Sequence, residues 1–218
     1  MTFVSNIKRI GYMSLPKFSD MRIMMLPFLL ENIDTLPDDL THWRDAVIQL
    51  CELSPVKTGV AYLTIDEKCL KEGQTHRRAG LHVDGVYKNG AGGWGGGGGA
   101  WGKSGLLTVS SHLGCRVWNQ SFIGQPGEEG ECDHLAIQCK PECEVLLEPF
   151  EVYWLGSHCV HESLPMITDV MRTFVRLSMP SRAPWFEGYT VNPKGIKPTG
   201  PILPRREFMH SLEYKINM

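Results

Sequence analysis

Two hydrophobic rhythms divide the chain. In the first 57 residues the apolar positions fall at helical spacing: Trp43, Ala46, Val47, Leu50 and Leu53 recur three and four apart, with Asp45 and Glu52 between them. Asp38, Asp39 and Thr41 offer capping side chains ahead of this run. Ser54-Pro55 closes it, because a proline ring disfavours helical geometry in the residue before it. Upstream, Met21 to Asn32 is apolar on several sides and reads as a buried helix broken near Pro27. From residue 58 the period shortens. Gly59–Asp66, Leu81–Val86, Leu106–Ser110, Cys115–Asn119, Leu135–Lys140, Glu144–Leu147, Glu151–Leu155 and Arg172–Met179 are β-like runs separated by turn residues. About eight short strands are the number expected of a jelly-roll or cupin-like double sheet. The predicted organisation is one mainly β domain, with helical support over 1–57, a core over 58–180 and an extended Pro- and Gly-rich tail over 181–218.

Composition narrows the class. Of 218 residues, 42% are hydrophobic and 21% charged, which supports a sizeable core and excludes global disorder. Lys plus Arg number 22 against 24 Asp plus Glu, a balance that argues against coating nucleic acid by bulk charge. The apolar run Met21 to Leu30 is interrupted by Arg22 and Pro27, whereas a membrane span needs about 20 apolar residues. No small-residue cleavage site follows it, so the expectation is a cytoplasmic chain with no membrane anchor. Seven cysteines, an odd number without Cys-x-x-Cys spacing, read as reduced thiols rather than a zinc site. The sequence leaves the oligomeric state open.

Residues 90–105 hold 10 of the 23 glycines together with Trp94 and Trp101. So many glycines lose too much backbone entropy to form a regular element. The segment is either a flap that carries Trp94 and Trp101 to a substrate, or a surface loop.

The candidate chemistry centres on His82, Asp84 and His161. On a strand, positions i and i+2 share a face, so His82 and Asp84 project together while Leu81 and Val83 point the other way. A third ligand has to come from elsewhere, and His161 follows the strand-like Glu151–Leu155 and a turn at Gly156-Ser157. Two imidazoles and one carboxylate on one face of a metal leave three positions open, the pattern of non-haem Fe(II) oxygenases. Eleven residues beyond His161 comes Arg172, and along that run Arg172, Phe174, Arg176 and Ser178 share a face. Arginines on the inward face of a strand are costly unless anions meet them. A dicarboxylate supplies one, and the planar guanidinium fork suits its carboxylate.

With these residues in this order, the chain resembles the 2-oxoglutarate/Fe(II)-dependent dioxygenases over roughly residues 58–180. The matching features are His82-x-Asp84, the distal His161 77 residues after Asp84, and Arg172 beyond it. The resemblance implies a double-stranded β-helix core and Fe(II) held by His82, Asp84 and His161. It also implies 2-oxoglutarate and O2 as cosubstrates, with Arg172 on the far carboxylate of 2-oxoglutarate. Succinate and CO2 would be the coproducts of hydroxylating a C–H bond of a small molecule or side chain; demethylation or desaturation draws on the same oxidising power. Arg176, which fits an Arg-x-Ser pattern with Ser178, is a second candidate for the cosubstrate. Tyr62, Thr64 and Asn119 are further candidate cosubstrate contacts by register, and Arg78, sharing the parity of His82, is a candidate at the substrate mouth. Halogenation is disfavoured because Asp84 occupies the position that halide needs. Two rival readings are a cupin-type metalloenzyme that does not use 2-oxoglutarate and a non-catalytic binding module on the same fold.

Overall fold

The computed structural model describes residues 2–84, 105–127, 130–180, 185–200 and 202–203. Its larger sheet has six strands in the order β2 (Ile7–Tyr12), β9 (Glu151–Leu155), β5 (Leu106–Ser110), β11 (Val170–Ser178), β4 (Val60–Leu70), β3 (Arg22–Leu29), and every neighbouring pair is antiparallel. A smaller antiparallel sheet is β10 (His161–Ser163), β6 (Cys115–Trp118), β8 (Glu144–Leu146). His82 extends it by single-residue bridges to His161 and Glu131. β1 (Thr2–Ser5) pairs with β7 (Gln120–Ile123), and the short β12 (Trp185–Phe186) pairs in parallel with β13 (Ile202–Leu203). From β4 onward the chain passes back and forth between the two sheets: β4, then His82, β5, β6, β8, β9, β10, β11. The fold is mainly β.

The period of two along each strand sorts the larger sheet into two unlike faces. Ala61, Leu63 and Ile65 of β4, Leu107 and Val109 of β5, Val152 of β9, and Val175 and Leu177 of β11 pack into one apolar cluster. That cluster includes Trp43 and, from α1 (Arg44–Leu53), Ala46, Val47 and Leu50. The intervening positions, among them Thr108, Ser110, Tyr153, Arg172, Phe174 and Arg176, face a pocket. A second cluster, Leu81, Val83, Trp118, Phe122, Cys132, Leu135 and Val160, backs the smaller sheet on the side away from that pocket.

The helical reading of 1–57 needs correction. α1 and its stop at Ser54, in extended geometry, stand as read, but α1 has no side-chain cap, because Asp38–Trp43 form a 3-10 turn ahead of it; β1, β2 and β3 lie in the region expected to be helical, β3 in place of the buried helix over Met21–Asn32. Met21–Asn32 is apolar on several sides because β3 is covered on both faces: Leu26 and Phe28 enter the helix-side cluster, while Met25 packs with Tyr62 and Tyr189. Pro27 is tolerated because β3 is an edge strand. Leu135–Lys140 is not a strand but part of a 3-10 turn over Asp133–Gln138. Only Leu135 there is buried, whereas Ile137 is 95% exposed, so a single turn suffices to anchor it. Leu81–Val86 likewise forms no ladder over its described residues, only the His82 bridges. No helix among the described residues is long and apolar enough to cross a membrane. All seven cysteines are free.

Candidate metal centre

His82 and His161 meet because their backbones form one hydrogen-bonded antiparallel pair: each N–H donates to the other's carbonyl at 2.9 Å. In such a pair side chains stand side by side, and the two rings lie with centroids 4.4 Å apart. Leu81 and Val83, buried in the apolar cluster behind, fix which way His82 and Asp84 point. Gly80, at φ +79°, turns the chain so that its carbonyl lies 2.7 Å from His82 Nδ1. Asp133 Oδ1 pins the same turn by accepting from the Leu81 N–H at 2.9 Å. His161 Nδ1 is 2.8 Å from the Cys159 carbonyl, the same i to i−2 arrangement.

A carbonyl only accepts, so each Nδ1 carries a proton, which leaves Nε2 as the ring nitrogen available to a metal. Ligand atoms of His82, Asp84 and His161 all lie within 4.8 Å of one another. Burial, with His161 adding to it, depresses the His82 pKa to about 3, so that ring is neutral at pH 7. Burial alone raises a carboxylic acid's pKa. At Asp84 the charge of Arg176, followed by the two imidazoles, outweighs it and the pKa is lowered. Asp84 Oδ2 accepts from Arg176 Nη1 at 3.1 Å, while Oδ1 is 3.9 Å from His161 Nε2. Two imidazole nitrogens and a carboxylate oxygen, each residue oriented by a second hydrogen bond, fit a divalent transition metal. The nearby Cys115 thiol, pushed up to about 12 by burial, stays protonated and adds no soft thiolate.

The same pocket is lined by Asp84, His161, Arg172, Arg176, Thr108 and Ser110 together with Phe174 and Tyr153. Arg172 is 2% exposed, and its Nε donates to Ser110 Oγ at 2.9 Å. Its Nη1 is buried with no hydrogen-bond partner among the described residues. Burial lowers its pKa to about 10, so it remains a cation at pH 7. Gly114 makes room for it: a Cβ there would stand 2.7 Å from Arg172 Cζ. Arg176 has Asp84, Glu148 also lines the pocket, and three other acids are engaged by other bases. Glu151 pairs with Arg9, Glu162 with Arg116 and Asp169 with Lys71.

The remaining sequence candidates lie elsewhere. Tyr62 OH is 3.3 Å from Thr199 Oγ1, and Thr64 Oγ1 accepts from the Met25 N–H at 3.2 Å. Asn119 is exposed, its N–H bonded to the Cys143 carbonyl. None of these three lines the pocket. Arg78 is half-buried and its charge reaches His82. Trp94, Trp101 and residues 90–104 lie outside the described residues.

Phe174 lines the pocket on the face it shares with Arg172 and Arg176, and Thr108, Ser110 and Tyr153, which strand parity would place there too, have no reading from sequence. Nor has a charged cluster on the same sheet face. Asp66, 1% exposed, meets Arg22 Nε at 2.8 Å, Arg77 Nη1 at 3.1 Å, His76 Nε2 at 3.3 Å and Lys68 Nζ at 3.5 Å. Burial opposes ionisation of Asp66, but these neighbours hold its carboxyl well below the usual range. The Arg77 guanidinium also lies over the Phe174 ring, 5.5 Å from its centroid, which joins the cluster to the pocket wall.

No protein-family model matches the chain, and no curated protein matches it. Three solved structures resemble it distantly. EvdO2 from Micromonospora carbonacea var. aurantiaca is 14% identical, with a TM-score of 0.40 over 79% of this chain and 73% of that one. ThoJ, described as a non-heme monooxygenase in its apo form, is 15% identical, with a TM-score of 0.41 over 87% and 77%. AviO1 from Streptomyces viridochromogenes Tue57 is 18% identical, with a TM-score of 0.32 over 81% and 76%. At such scores a likeness says nothing of chemistry, which has to come from the site.

Proposed function

We propose that this protein is a non-haem Fe(II)- and 2-oxoglutarate-dependent oxygenase that hydroxylates a C–H bond of a small molecule or side chain. The reading includes the double-stranded β-helix as its core, supported by the alternation of consecutive strands between two antiparallel sheets. The observation that carries it is a coincidence in one pocket. Three donors lie within 4.8 Å of one another, and two of them, Asp84 and His161, line the pocket together with a buried guanidinium that lacks a partner for Nη1.

His82, Asp84 and His161 would hold the iron by Nε2, Oδ1 and Nε2, with Gly80, Arg176 and Cys159 fixing each ligand from behind. Iron, when bound, supplies dioxygen activation coupled to oxidative decarboxylation of the 2-oxo acid. Arg172 binds the far carboxylate of 2-oxoglutarate through the edge that Ser110 leaves free, and the Ser110 bond sets the plane of the fork. Arg176 is spent on Asp84, which favours Arg172 as the cosubstrate residue. Leu106, Leu147 and Leu155 line the pocket with apolar surface and keep bulk water from the reacting face.

The experiment is anaerobic binding followed by turnover. Purified protein with Fe(II) and ascorbate is expected to convert 2-oxoglutarate to succinate on addition of O2, slowly without a prime substrate. A protein that binds the metal but neither binds nor consumes 2-oxoglutarate would refute the proposal and leave the cupin-type reading.

A further inference from the structure

Arg176 is 4% exposed and lines the pocket beside Asp84 and His161. Its Nη1 donates to Asp84 Oδ2 at 3.1 Å, and Nη2 reaches the Met25 sulfur at 3.4 Å. Met25 is itself unusual: a fully buried, non-glycine residue at φ +55°, where the pairing of β3 with β4 slips between Ile23 and Leu26. A left-handed methionine costs backbone energy and persists only where its surroundings over-determine it. Here Thr64 does so: its Oγ1 accepts from the Met25 N–H at 3.2 Å and donates to the Met25 sulfur at 3.2 Å. The bulge therefore places a thioether behind the guanidinium, and the guanidinium in front of the carboxylate.

We infer that Met25 and Arg176 form a positioning device that occupies Oδ2 of Asp84, so that the carboxylate offers a metal only Oδ1. The inference rests on the metal-site reading above and goes beyond it, because it fixes how many coordination positions the protein leaves open. A carboxylate free to turn can chelate with both oxygens and close one of them. With Oδ2 held, two imidazoles and one oxygen leave three of six positions. A bidentate cosubstrate and O2 together need all three. Arg176 is thus a positioning residue for the ligand set, distinct in role from Arg172. Thr64, expected from sequence at the cosubstrate, serves the same device from behind.

Affinity for the metal does not decide the matter. Removing a nearby cation strengthens metal binding, while releasing the carboxylate weakens it. The count of metal-bound water does decide it. The experiment loads the full chain with Mn(II), without 2-oxoglutarate, and measures binding and then water-proton relaxation. Wild type is expected to carry three exchangeable waters, and Arg176→Met two, a fall of about a third in the bound-metal relaxation. Arg176→Lys, which restores one cationic donor, should recover most of the loss. Equal water counts in wild type and folded Arg176→Met overturn the inference. So does a count of two in wild type, which decides the question even if the variant fails to fold. Absence of Mn(II) binding to wild type overturns the metal-site reading itself and this inference with it, and it is seen in the binding step before any water is counted.

Discussion

Arg172 gives the sharpest test of the proposed cosubstrate pocket, because its present state is energetically incomplete. The side chain is 2% exposed, bonded through Nε to Ser110 Oγ, and short of a partner at Nη1. A buried donor left without an acceptor costs about 1–3 kcal/mol, with charged groups at the upper end. Arg172→Met retains most of the buried stem and removes that unsatisfied group. In the absence of ligand the variant is therefore expected to be at least as stable as wild type. A gain of about 1 kcal/mol corresponds to about 2–4 °C in Tm for a chain of this size. With 2-oxoglutarate the order reverses. Truncating one partner of a buried, hydrogen-bonded charge pair costs about 2–5 kcal/mol, which is a rise of roughly 30- to several-thousand-fold in Kd or KM. Calorimetric titration of 2-oxoglutarate into metal-loaded protein, beside thermal melts with and without it, measures both halves. Arg172→Lys should recover part of the affinity, since an ammonium keeps the charge but not the fork. Arg172→Met that binds 2-oxoglutarate as wild type does would refute the reasoning. A variant that is destabilised without ligand and equally destabilised with it would show that Arg172 is scaffold.

Three other perturbations probe different parts of the site. His82→Ala, Asp84→Ala and His161→Ala should each lower Co(II) or Mn(II) affinity by more than about 100-fold and abolish Fe(II)-dependent succinate formation while the far-UV spectrum stays that of wild type. Gly114→Ala brings a Cβ to 2.7 Å from Arg172 Cζ. Overpacking of that kind costs about 1–3 kcal/mol, so KM for 2-oxoglutarate should rise about tenfold or more with metal binding unchanged, and an unaltered KM would remove Gly114 from the pocket. His76 is lowered to about 4 by burial, with Arg172 and Lys68 adding to it against Asp66. Its folded pKa lies below its unfolded value near 6.5, so the unfolded chain binds more protons between pH 4 and 6.5, and stability is lost as pH falls through that window. His76→Phe should flatten the pH dependence of the urea midpoint there by up to about 1.4 kcal/mol per pH unit; an unchanged slope would assign the acid sensitivity to other groups.

How much of this was legible depends on the range of the interactions involved. Leu106–Ser110 and Glu151–Leu155 were read to the residue because each alternates, with one face on the α1 cluster and one on the pocket. β3 was misread because both of its faces are covered, which erases alternation and leaves a short apolar run that resembles a buried helix. His82, Asp84 and His161 were legible as residue types at a telling spacing; what brings them together, a single backbone pair between His82 and His161, has no local signal. The partners of Asp66 were illegible for the same reason. Arg22 and His76 come from opposite sides of it in sequence and converge only because β3 pairs with β4 and the chain after Leu70 folds back over the sheet. Parity could have found Thr108, Ser110 and Tyr153, since each lies two or four residues from another pocket-facing position on its own strand.

The two arginines of β11 carry the functional argument because the same face treats them differently. Arg172 and Arg176 stand four residues apart, both deeply buried, with Phe174 between them. Burying one such cation without a counter-charge costs several kcal/mol, so a fold that keeps two has to answer for each. The charge of Arg176 is answered within the chain by Asp84, and its Nη2 reaches the Met25 sulfur, although its Nε is also buried without a hydrogen-bond partner. Arg172 makes no salt bridge among the described residues: Glu151, Glu162 and Asp169 are each engaged by a different base, and Glu148, which lines the same pocket, is not paired with it. It keeps one neutral bond to Ser110 and an open Nη1, and Gly114 clears the space around its guanidinium. A scaffold would gain by replacing that arginine with an apolar residue of similar size. A pocket that must take up a carboxylate beside a metal gains by keeping it, because the missing half of the pair then arrives with the ligand. Under the proposed function, the asymmetry between two arginines on one strand separates a guanidinium that shapes the ligand set from one held ready for an anion.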